Sequence, residues 1–227
     1  MRILDLFAGA GGRLRRKEIE DLGHEYITLD YDKTFNCTIT KNIFDVLSIG
    51  DLGYFDFVWA SVPCESFSVA SIGHHWTGGK GAYIPKTENA RISKRLVLHT
   101  LKLIHDANPP AWIIENPRGL LRKMSFMKSY PRYTISYCQY GDSRMKPTDL
   151  WGIIPRWIPR LICRNGLNCH EAAPRGSKTG TQGLTDASSR AIVPLELWLE
   201  IIAALDGNPK NTPSRTVFYQ DFLLPPL

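Results

Sequence analysis

Short apolar runs alternate with helical segments along this chain, and this alternation is the feature that most restricts its fold. Strand-like runs lie at residues 3–7, 26–29, 55–61, 111–115 and 133–140. Helical patterns lie at residues 13–22, at 96–104 in a helix that ends before Pro109, and at 195–205. Strands that alternate with helices favour an α/β fold, in which helices cover both faces of a mostly parallel sheet.

The length and composition fit one globular domain. The 227 residues suffice for a single α/β domain with a full hydrophobic core. With 43% apolar and 22% charged residues, the chain is unlike disordered, collagen-like or coiled-coil proteins. We therefore expect one domain over residues 1–206, with an irregular basic segment at 152–192, followed by a tail at 207–227.

The composition favours a cytoplasmic protein with a polyanionic partner. No run of roughly 18 or more apolar residues is present, so we expect no membrane span, and the first residues enter a strand pattern directly, so we expect no secretory signal. The five cysteines form no dense, even framework, which indicates reduced thiols. The 28 basic and 22 acidic side chains give a formal charge of +6, which suits a polyanion.

A glycine-rich turn follows the first strand, where a nucleotide-like cofactor could bind. Residues 7–12 read Phe-Ala-Gly-Ala-Gly-Gly. Glycines let the backbone approach a ligand closely, and the N-terminus of the next helix offers N–H donors. Asp30, at the end of the second strand, is placed for ribose hydroxyls. The spacing differs from the dinucleotide pattern G-x-G-x-x-G, and a purely structural strand-to-helix turn is the alternative.

Two further motifs lie where later strands end. Residues 61–64 read Ser-Val-Pro-Cys and residues 115–117 read Glu-Asn-Pro. Ligands of open α/β sheets bind at this carboxyl edge, so Cys64 is either a nucleophile or a small buried hydrophobic residue. Glu115 is either a functional acid or a solvated strand end.

Together these motifs resemble those of the DNA cytosine-5 methyltransferase family. DLFAGAGG at residues 5–12 resembles its cofactor motif, PCESFS at 63–68 resembles its Pro-Cys nucleophile motif, and ENP at 115–117 stands where the family has ENV. YCQYGDSRMKPTDLWG at 137–152 resembles the segment that carries Q-x-R-x-R. The resemblance covers about residues 1–152. Within the family, the pattern is most similar to compact members that bacteriophages often encode. It implies a Rossmann-like, S-adenosylmethionine-dependent methyltransferase fold.

The resemblance also implies a DNA (cytosine-5-)-methyltransferase that methylates a flipped cytosine. Cys64 would attack C6 of the base, and Glu115 would hold its N3–N4 edge. Either Arg144 or Lys146 would contact O2, and the sequence does not decide between them. The cofactor would be S-adenosyl-L-methionine, with Asn42 and Asp45 as alternatives at the adenine amino group. The residues implied to bind it are Asp5, Phe7, Gly9, Gly11, Gly12, Asp30, Asn42, Asp45 and Pro63.

Nucleic-acid contacts are expected from two segments. A base inside a duplex cannot be reached, so the target must be flipped out. We expect loop 71–88, with Trp76, to close over it, and a disordered surface loop is the alternative. The family's sizeable target-recognition domain is replaced by residues 152–192, which favours phosphate contacts and a short footprint. The expected contact residues are Ser68, His74, His75, Lys80, Arg156, Arg160, Arg175 and Lys178.

Duplex DNA is the expected partner, ahead of RNA, in the cytoplasm of a bacterium or a phage-infected cell, and the oligomeric state stays open. An RNA cytosine-5 methyltransferase and a catalytically silent nucleic-acid-binding protein are the alternatives. Cys163, Cys169 and His170 also suggest a metal site. Their spacing lacks the usual C-x₂₋₄-C pairing and a fourth ligand, so no metal is expected.

Overall fold

The computed structural model describes residues 1–79, 82–164, 166–171 and 187–207. Three of the expected nucleic-acid contacts, Lys80, Arg175 and Lys178, lie outside the described residues. The same holds for residues 208–227 of the expected tail. No helix within the described ranges is both long enough and apolar enough to cross a membrane.

A seven-stranded sheet forms the centre of the molecule. Its strands are β1 (Arg2–Leu6), β2 (Glu25–Asp30), β3 (Ile39–Thr40), β4 (Phe57–Ser61), β7 (Ala111–Pro117), β8 (Arg132–Ser136) and β9 (Pro147–Ile153). Their spatial order is β3-β2-β1-β4-β7-β9-β8. The strands from β3 to β7 are parallel, whereas β9 runs antiparallel to both β7 and β8. A separate hairpin pairs β5 (Trp76–Thr77) with β6 (Ile84–Pro85).

Helices cover both faces of this sheet. They are α1 (Gly9–Asp21), α2 (Ile72–His75), α3 (Glu88–Ala107), α4 (Ala187–Ala191) and α5 (Leu195–Asp206). Val58 of β4 belongs to the same apolar cluster as Val97 of α3, while Trp59 belongs to the cluster that contains Trp198 of α5. Since neighbouring residues of a strand face opposite sides, the sheet has one core on each face. The predicted α/β, Rossmann-like architecture is confirmed.

The ends of α3 follow directly from its sequence. Thr87 precedes the helix, and its hydroxyl accepts a hydrogen bond from the backbone N–H of Ala90 at 3.2 Å, as expected of an N-cap residue. Asn108 ends the helix in a left-handed conformation, φ +45°. Pro109 and Pro110 then prevent its continuation.

Three elements differ from the sequence expectation. Residues 147–153 form β9, although Pro147 and Gly152 obscure the strand pattern; Pro147 stands at the first position of the strand, where a missing donor is tolerated. Helix α1 begins at Gly9 and not near residue 13. The run at 133–140 ends as a strand at Ser136 and continues as a 3₁₀ turn, Tyr137–Tyr140.

Candidate active site

Strand register brings the Pro-Cys and Glu-Asn-Pro motifs together. Ser61, the last residue of β4, pairs with Glu115 of the adjacent β7. The Asn116 side chain donates from Nδ2 to the backbone carbonyl of Val62 at 3.0 Å. The turn that carries Cys64 is therefore fixed to the neighbouring strand at the carboxyl edge of the sheet.

Cys64 is half-buried at the start of a 3₁₀ turn, Glu65–Phe67. The backbone N–H of Phe67 donates to the Cys64 carbonyl at 3.0 Å, and the Phe67 carbonyl accepts from Leu120 at 2.8 Å. A Cβ at Gly119 would overlap that same Phe67 carbonyl, so only glycine permits this approach. The position of Cys64 thus depends on the chain that follows β7.

Trp76 supports the Cys64 turn from the side of the core. It is buried, its Nε1 donates to the Ser66 carbonyl at 2.7 Å, and its ring stacks on Phe67 at a centroid distance of 5.5 Å. The expectation that Trp76 is available to a flipped base is therefore wrong. Its apolar surface is already used in packing, and the described part of loop 71–88 contains α2 and the β5–β6 hairpin.

Glu115 is a buried acid with a specific partner. Only 4% of it is exposed, and the hydroxyl of Tyr137 donates to its Oε1 at 3.0 Å. Burial raises the pKa of Glu115, and the charge of Lys146 and hydrogen bonds from Tyr137 and Ser61 oppose that rise. A carboxyl group held in this way can carry a proton at a higher pH than an exposed glutamate.

Lys146 supplies positive charge beside Cys64 and Glu115. Its Nζ donates to the Arg190 carbonyl at 2.7 Å and lies 4.6 Å from the centre of the Tyr137 ring. Burial lowers the pKa of Lys146, and the charge of Glu115 opposes that change. Burial and the Glu115 charge raise the pKa of the Cys64 thiol, whereas Lys146 lowers it. We call Cys64, Glu115, Tyr137 and Lys146 the Cys64 site.

Arg144 has a different role from Lys146. Its guanidinium forms an ion pair with Asp142 and donates to the backbone carbonyls of Ser189, Arg190 and Ile192. Every nitrogen of the guanidinium is used in these contacts, which hold the segment that leads into α5. The expectation that Arg144 could contact the base is therefore corrected, and of the two candidates only Lys146 adjoins Glu115.

The glycine-rich turn takes the shape expected of a ligand-binding turn. Phe7 and Gly9 have positive φ angles, +59° and +52°, and nothing lies within 4 Å of a Cβ placed on Gly9. The Asp30 carboxylate accepts from the backbone N–H of Gly9 at 3.0 Å and from Asp32 at 3.1 Å. Asp30 therefore orders the turn and the end of β2 at the same time.

Gly12 is required for packing. A Cβ there would lie 2.8 Å from the Ala8 Cβ and 3.1 Å from Thr28 Cγ2. Both distances are shorter than ordinary carbon contacts. Because Gly12 has no side chain, α1 packs closely on β2 and its N-terminus is held at the carboxyl edge of the sheet.

Asp5 does not belong to the cofactor turn, which corrects the sequence expectation. It is completely buried and binds Arg15 at 2.7 Å and the Tyr26 hydroxyl at 2.5 Å. Burial raises the pKa of Asp5, and Arg15 and Tyr26 oppose that rise. A Cβ on Gly11 would lie 2.5 Å from Arg15 Nη1, so Gly11 makes room for this buried ion pair.

The other expected cofactor residues lie near the same edge. Asn42 and Asp45 are exposed just beyond the end of β3. The Asn42 side-chain oxygen accepts from the Phe44 N–H at 3.0 Å, while the Asp45 side chain is exposed. Pro63 is exposed beside Cys64.

One of the expected phosphate contacts, Arg160, forms its ion pairs within the protein, and a second, Arg156, makes a single hydrogen bond there. Arg160 binds Glu196 at 2.8 Å and Glu200 at 2.7 Å, and Arg156 donates to the Leu205 carbonyl. The Arg160 assignment is corrected, because the sequence could not reveal that α5 presents two carboxylates to its guanidinium group. Arg156 is exposed, and its phosphate contact stays a prediction. His74 is exposed, His75 hydrogen-bonds Thr87 at 2.7 Å, and Ser68 is half-buried.

Comparison with known proteins agrees with this geometry. The profile of the family described as C-5 cytosine-specific DNA methylase matches residues 1–128, which include the glycine-rich turn, Cys64 and Glu115. This chain belongs to that family. The prediction of a DNA cytosine-5 methyltransferase, and of an enzyme, is thereby confirmed at the level of the family.

Two curated relatives are similar in sequence. One, named as a probable DNA (cytosine-5)-methyltransferase of Frog virus 3 (isolate Goorha), is 28% identical over 194 residues, which cover 84% of this chain and 88% of the relative. The other, the type II methyltransferase M.DsaV of Dactylococcopsis salina, is 27% identical over 128 residues. That match covers 53% of this chain and 32% of M.DsaV.

Solved methyltransferases are more distant. A putative DNA modification methyltransferase encoded within an E. coli prophage has 14% identity and a TM-score of 0.47, and covers 67% of this chain and 46% of its own. The Entamoeba histolytica methyltransferase EhMeth has 16% identity and a TM-score of 0.46, with coverage of 67% and 52%.

Sequence reasoning missed two residues of this site. Tyr137 binds Glu115, and Asn116 ties β7 to the Cys64 turn. Asn116 stands in the Glu-Asn-Pro motif, but its polar side chain gave no indication of its partner. Tyr137 follows the end of β8 and gave no signal, because its contact depends on β9 separating β7 from β8.

Proposed function

We propose that this chain methylates C5 of a cytosine flipped out of duplex DNA, with S-adenosyl-L-methionine as methyl donor and Cys64 as nucleophile. The observation that carries the proposal is the half-buried thiol of Cys64 beside a buried acid, Glu115, and a half-buried cation, Lys146. Cys64 follows the end of β4, Glu115 lies near the carboxyl end of β7, and Lys146 directly precedes the antiparallel β9. All three therefore stand at the carboxyl edge of the parallel strands, where the glycine-rich turn also lies.

The residues present fit S-adenosyl-L-methionine. The turn at Gly9 is open where a Cβ would stand, the N-terminus of α1 faces it, and Asp30 ends the neighbouring strand. The cofactor would supply an electrophilic methyl group. Phe7, Gly9, Gly11 and Gly12 would shape the turn, with Asp30 at the ribose and Asn42 or Asp45 at the adenine.

Cys64, Lys146 and Glu115 of the Cys64 site each have a separate role in the proposed reaction at the cytosine base. The Cys64 thiol gives up its proton to solvent water, and the thiolate forms a bond to C6 of cytosine, which makes C5 nucleophilic. Lys146 stabilises that thiolate by its charge. Glu115 holds a proton toward N3, so that the electron pair displaced by the attack is neutralised as it develops. When C5 takes the methyl group, S-adenosyl-L-homocysteine is left and Glu115 recovers its proton from N3. Water then removes the C5 proton, the electron pair of that C–H bond forms the C5–C6 double bond, and the bond between Cys64 and C6 breaks. The released thiolate regains a proton from solvent.

The test is direct. Purified protein is incubated with S-adenosyl-L-methionine and unmethylated DNA, and the nucleosides are weighed by mass spectrometry. We expect 5-methylcytosine with the native chain and none with Cys64→Ala. DNA that contains 5-fluorocytosine should trap a covalent complex, because fluorine cannot leave C5 as a proton does.

A parallel arm with RNA separates the alternatives. Methylation of RNA alone would replace the proposal with an RNA cytosine-5 methyltransferase. No product and no trapped complex on either substrate, with DNA still bound, would favour a silent binding protein.

A further inference from the structure

Three cysteines and a histidine outside the Cys64 site converge on one place. Cys138 lies in the 3₁₀ turn after β8, while Cys163, Cys169 and His170 come from the segment that follows β9. One potential ligand atom from each of these four residues lies within 4.8 Å of the other three. We call Cys138, Cys163, Cys169 and His170 the cysteine–histidine cluster. Cys138 is the fourth ligand that the sequence spacing did not reveal.

Four of the six separations between these atoms lie within about 0.5 Å of those in a tetrahedral zinc site. Cys169 Sγ lies 3.3 Å from Cys163 Sγ and 3.7 Å from Cys138 Sγ. His170 Nδ1 lies 3.4 Å from Cys163 Sγ and 3.7 Å from Cys169 Sγ. Tetrahedral zinc with a Zn–S bond of about 2.3 Å and a Zn–N bond of about 2.0–2.1 Å requires separations of roughly 3.8 Å between sulfurs and 3.6 Å between sulfur and nitrogen.

A disulfide does not account for this arrangement. The 3.3 Å between Cys163 Sγ and Cys169 Sγ exceeds a disulfide bond of about 2.05 Å, and all five cysteines are free thiols. A disulfide would also leave the third thiol and the imidazole without a reason to point at the same centre. Three sulfurs and one nitrogen directed at one point form the donor set of a Cys₃His zinc site.

Hydrophobic packing alone does not fix the segment that carries these ligands. Residues 154–164 and 166–171 contain neither helix nor strand, and Leu161, Ile162 and Leu167 are 83%, 53% and 53% exposed. Cys163 is buried nevertheless. A segment with little regular structure and exposed apolar side chains is the kind that a bound metal ion orders in small domains.

A neighbouring side chain supports thiolate ligands. Gln139 Nε2 lies 3.4 Å from Cys169 Sγ and 3.8 Å from Cys138 Sγ. Donors near the sulfurs of a metal site orient the ligands and stabilise their negative charge.

We propose that the cysteine–histidine cluster binds one zinc ion as a structural site. The three thiols lose their protons to solvent on binding, and the neutral imidazole of His170 supplies its Nδ1 lone pair. Four protein ligands leave no open position for water or substrate, which distinguishes a structural from a catalytic zinc. The proposal does not depend on the proposed methyl transfer.

Such an ion would connect the segment after β9 to the Cys64 site. Cys138 adjoins Tyr137, whose hydroxyl binds Glu115, and the backbone N–H of Glu171, next to His170, donates to the Ser143 carbonyl at 2.8 Å. The zinc ion would link the Tyr137–Glu115 contact to the Glu171–Ser143 contact. It would thereby fix the position of the segment that follows β9.

The first test measures metal content. Protein purified under reducing conditions is passed through gel filtration and analysed for zinc by mass spectrometry. We expect about one zinc ion per chain, consistent with one closed site. Cys138→Ser and Cys169→Ser should lose it, and Cys37→Ser, which alters a cysteine outside the cluster, should retain it.

A second test uses the native chain, so that a misfolded variant cannot decide the outcome. The reduced, metal-free protein is titrated with cobalt(II), and we expect the absorption of tetrahedral thiolate-bound cobalt to saturate at about one equivalent. Absence of both zinc and the cobalt spectrum would overturn the proposal. So would zinc retained by folded cluster variants, or a mass two hydrogens lower that maps to a disulfide between cluster cysteines.

Discussion

The Cys64 site and the cysteine–histidine cluster gather reactive side chains by different means. The first stands at the ends of β4 and β7, and hydrogen-bonded strands fix the spacing of its motifs. The second joins Cys138, in the turn after β8, to three ligands from a segment without helix or strand. The comparison indicates that backbone pairing positions the proposed chemistry, whereas side-chain coordination would position the segment that follows β9.

The largest effect is expected from Cys64→Ala. Loss of the nucleophile should lower the methyl-transfer rate by about 10⁴-fold or more, as in other enzymes that act through a covalent intermediate. Zinc content should not change, because the cysteine–histidine cluster contains no contribution from Cys64. Single-turnover transfer of a labelled methyl group measures the rate, with Cys37→Ala as the matched control. Residual turnover near the native rate would contradict the assigned nucleophile.

Glu115→Gln should produce the next largest loss. The amide keeps the shape of the carboxyl group but cannot give a proton to N3, and general acid catalysis typically contributes about 10²–10⁴-fold. Cofactor affinity, measured by calorimetry, should stay within a few fold, because Glu115 faces Tyr137 and not the glycine-rich turn. A variant that lost cofactor binding and kept its turnover rate would reverse this assignment.

Lys146→Met should shift the pH dependence. Lys146 lowers the pKa of the Cys64 thiol, so its removal raises that pKa, and the rising limb of the rate profile should move to higher pH. Below its pKa a thiol has less thiolate as that pKa rises, so turnover at neutral pH should fall, by less than in Glu115→Gln and by more than in Cys169→Ser. Lys102→Met, an exposed lysine on α3, is the control, and an unmoved limb would show that Lys146 does not act on the thiol.

The smallest effect on rate is expected from Cys169→Ser. Removing one ligand should loosen residues 158–171 while leaving β4 and β7 paired, so that methyl transfer falls by less than about tenfold, or 1.4 kcal/mol. In limited proteolysis, the protease should cut this segment faster in the variant than in the native chain. The native chain treated with a chelator should be cut as fast as the variant. A loss as large as that of Glu115→Gln would mean that the two regions are not separable.

The parallel half of the fold was largely predictable from the sequence. Residues 3–7, 26–29, 55–61 and 111–115 were expected as strands, and each overlaps an observed strand. A buried strand with a glycine or proline motif at its end gives a local signal, and no distant contact is needed to read it. In the antiparallel half, the run at 133–140 was also expected as a strand and overlaps β8, whereas β9 was not predictable, because Pro147 and Gly152 mask it.

The partners of charged side chains were the least predictable feature. Arg144, Arg160 and Asp5 looked like functional groups in the sequence, yet each is bound to other residues of the protein. An arginine shows its charge in the sequence but not the acceptor that neutralises it. The acceptors of Arg160, Glu196 and Glu200, lie on α5, far along the chain.

The sequence by itself determined the family, the α/β architecture, and Cys64 and Glu115 as candidate catalytic residues. All of these can be recognised from apolar runs and the short motifs at their ends. The tertiary structure alone decided that Lys146 and not Arg144 adjoins Glu115, that Tyr137 holds the acid, and that Cys138 completes the cysteine–histidine cluster. Each of these facts depends on a contact between residues distant in sequence, and only the packing of β9 and α5 against the parallel strands creates it.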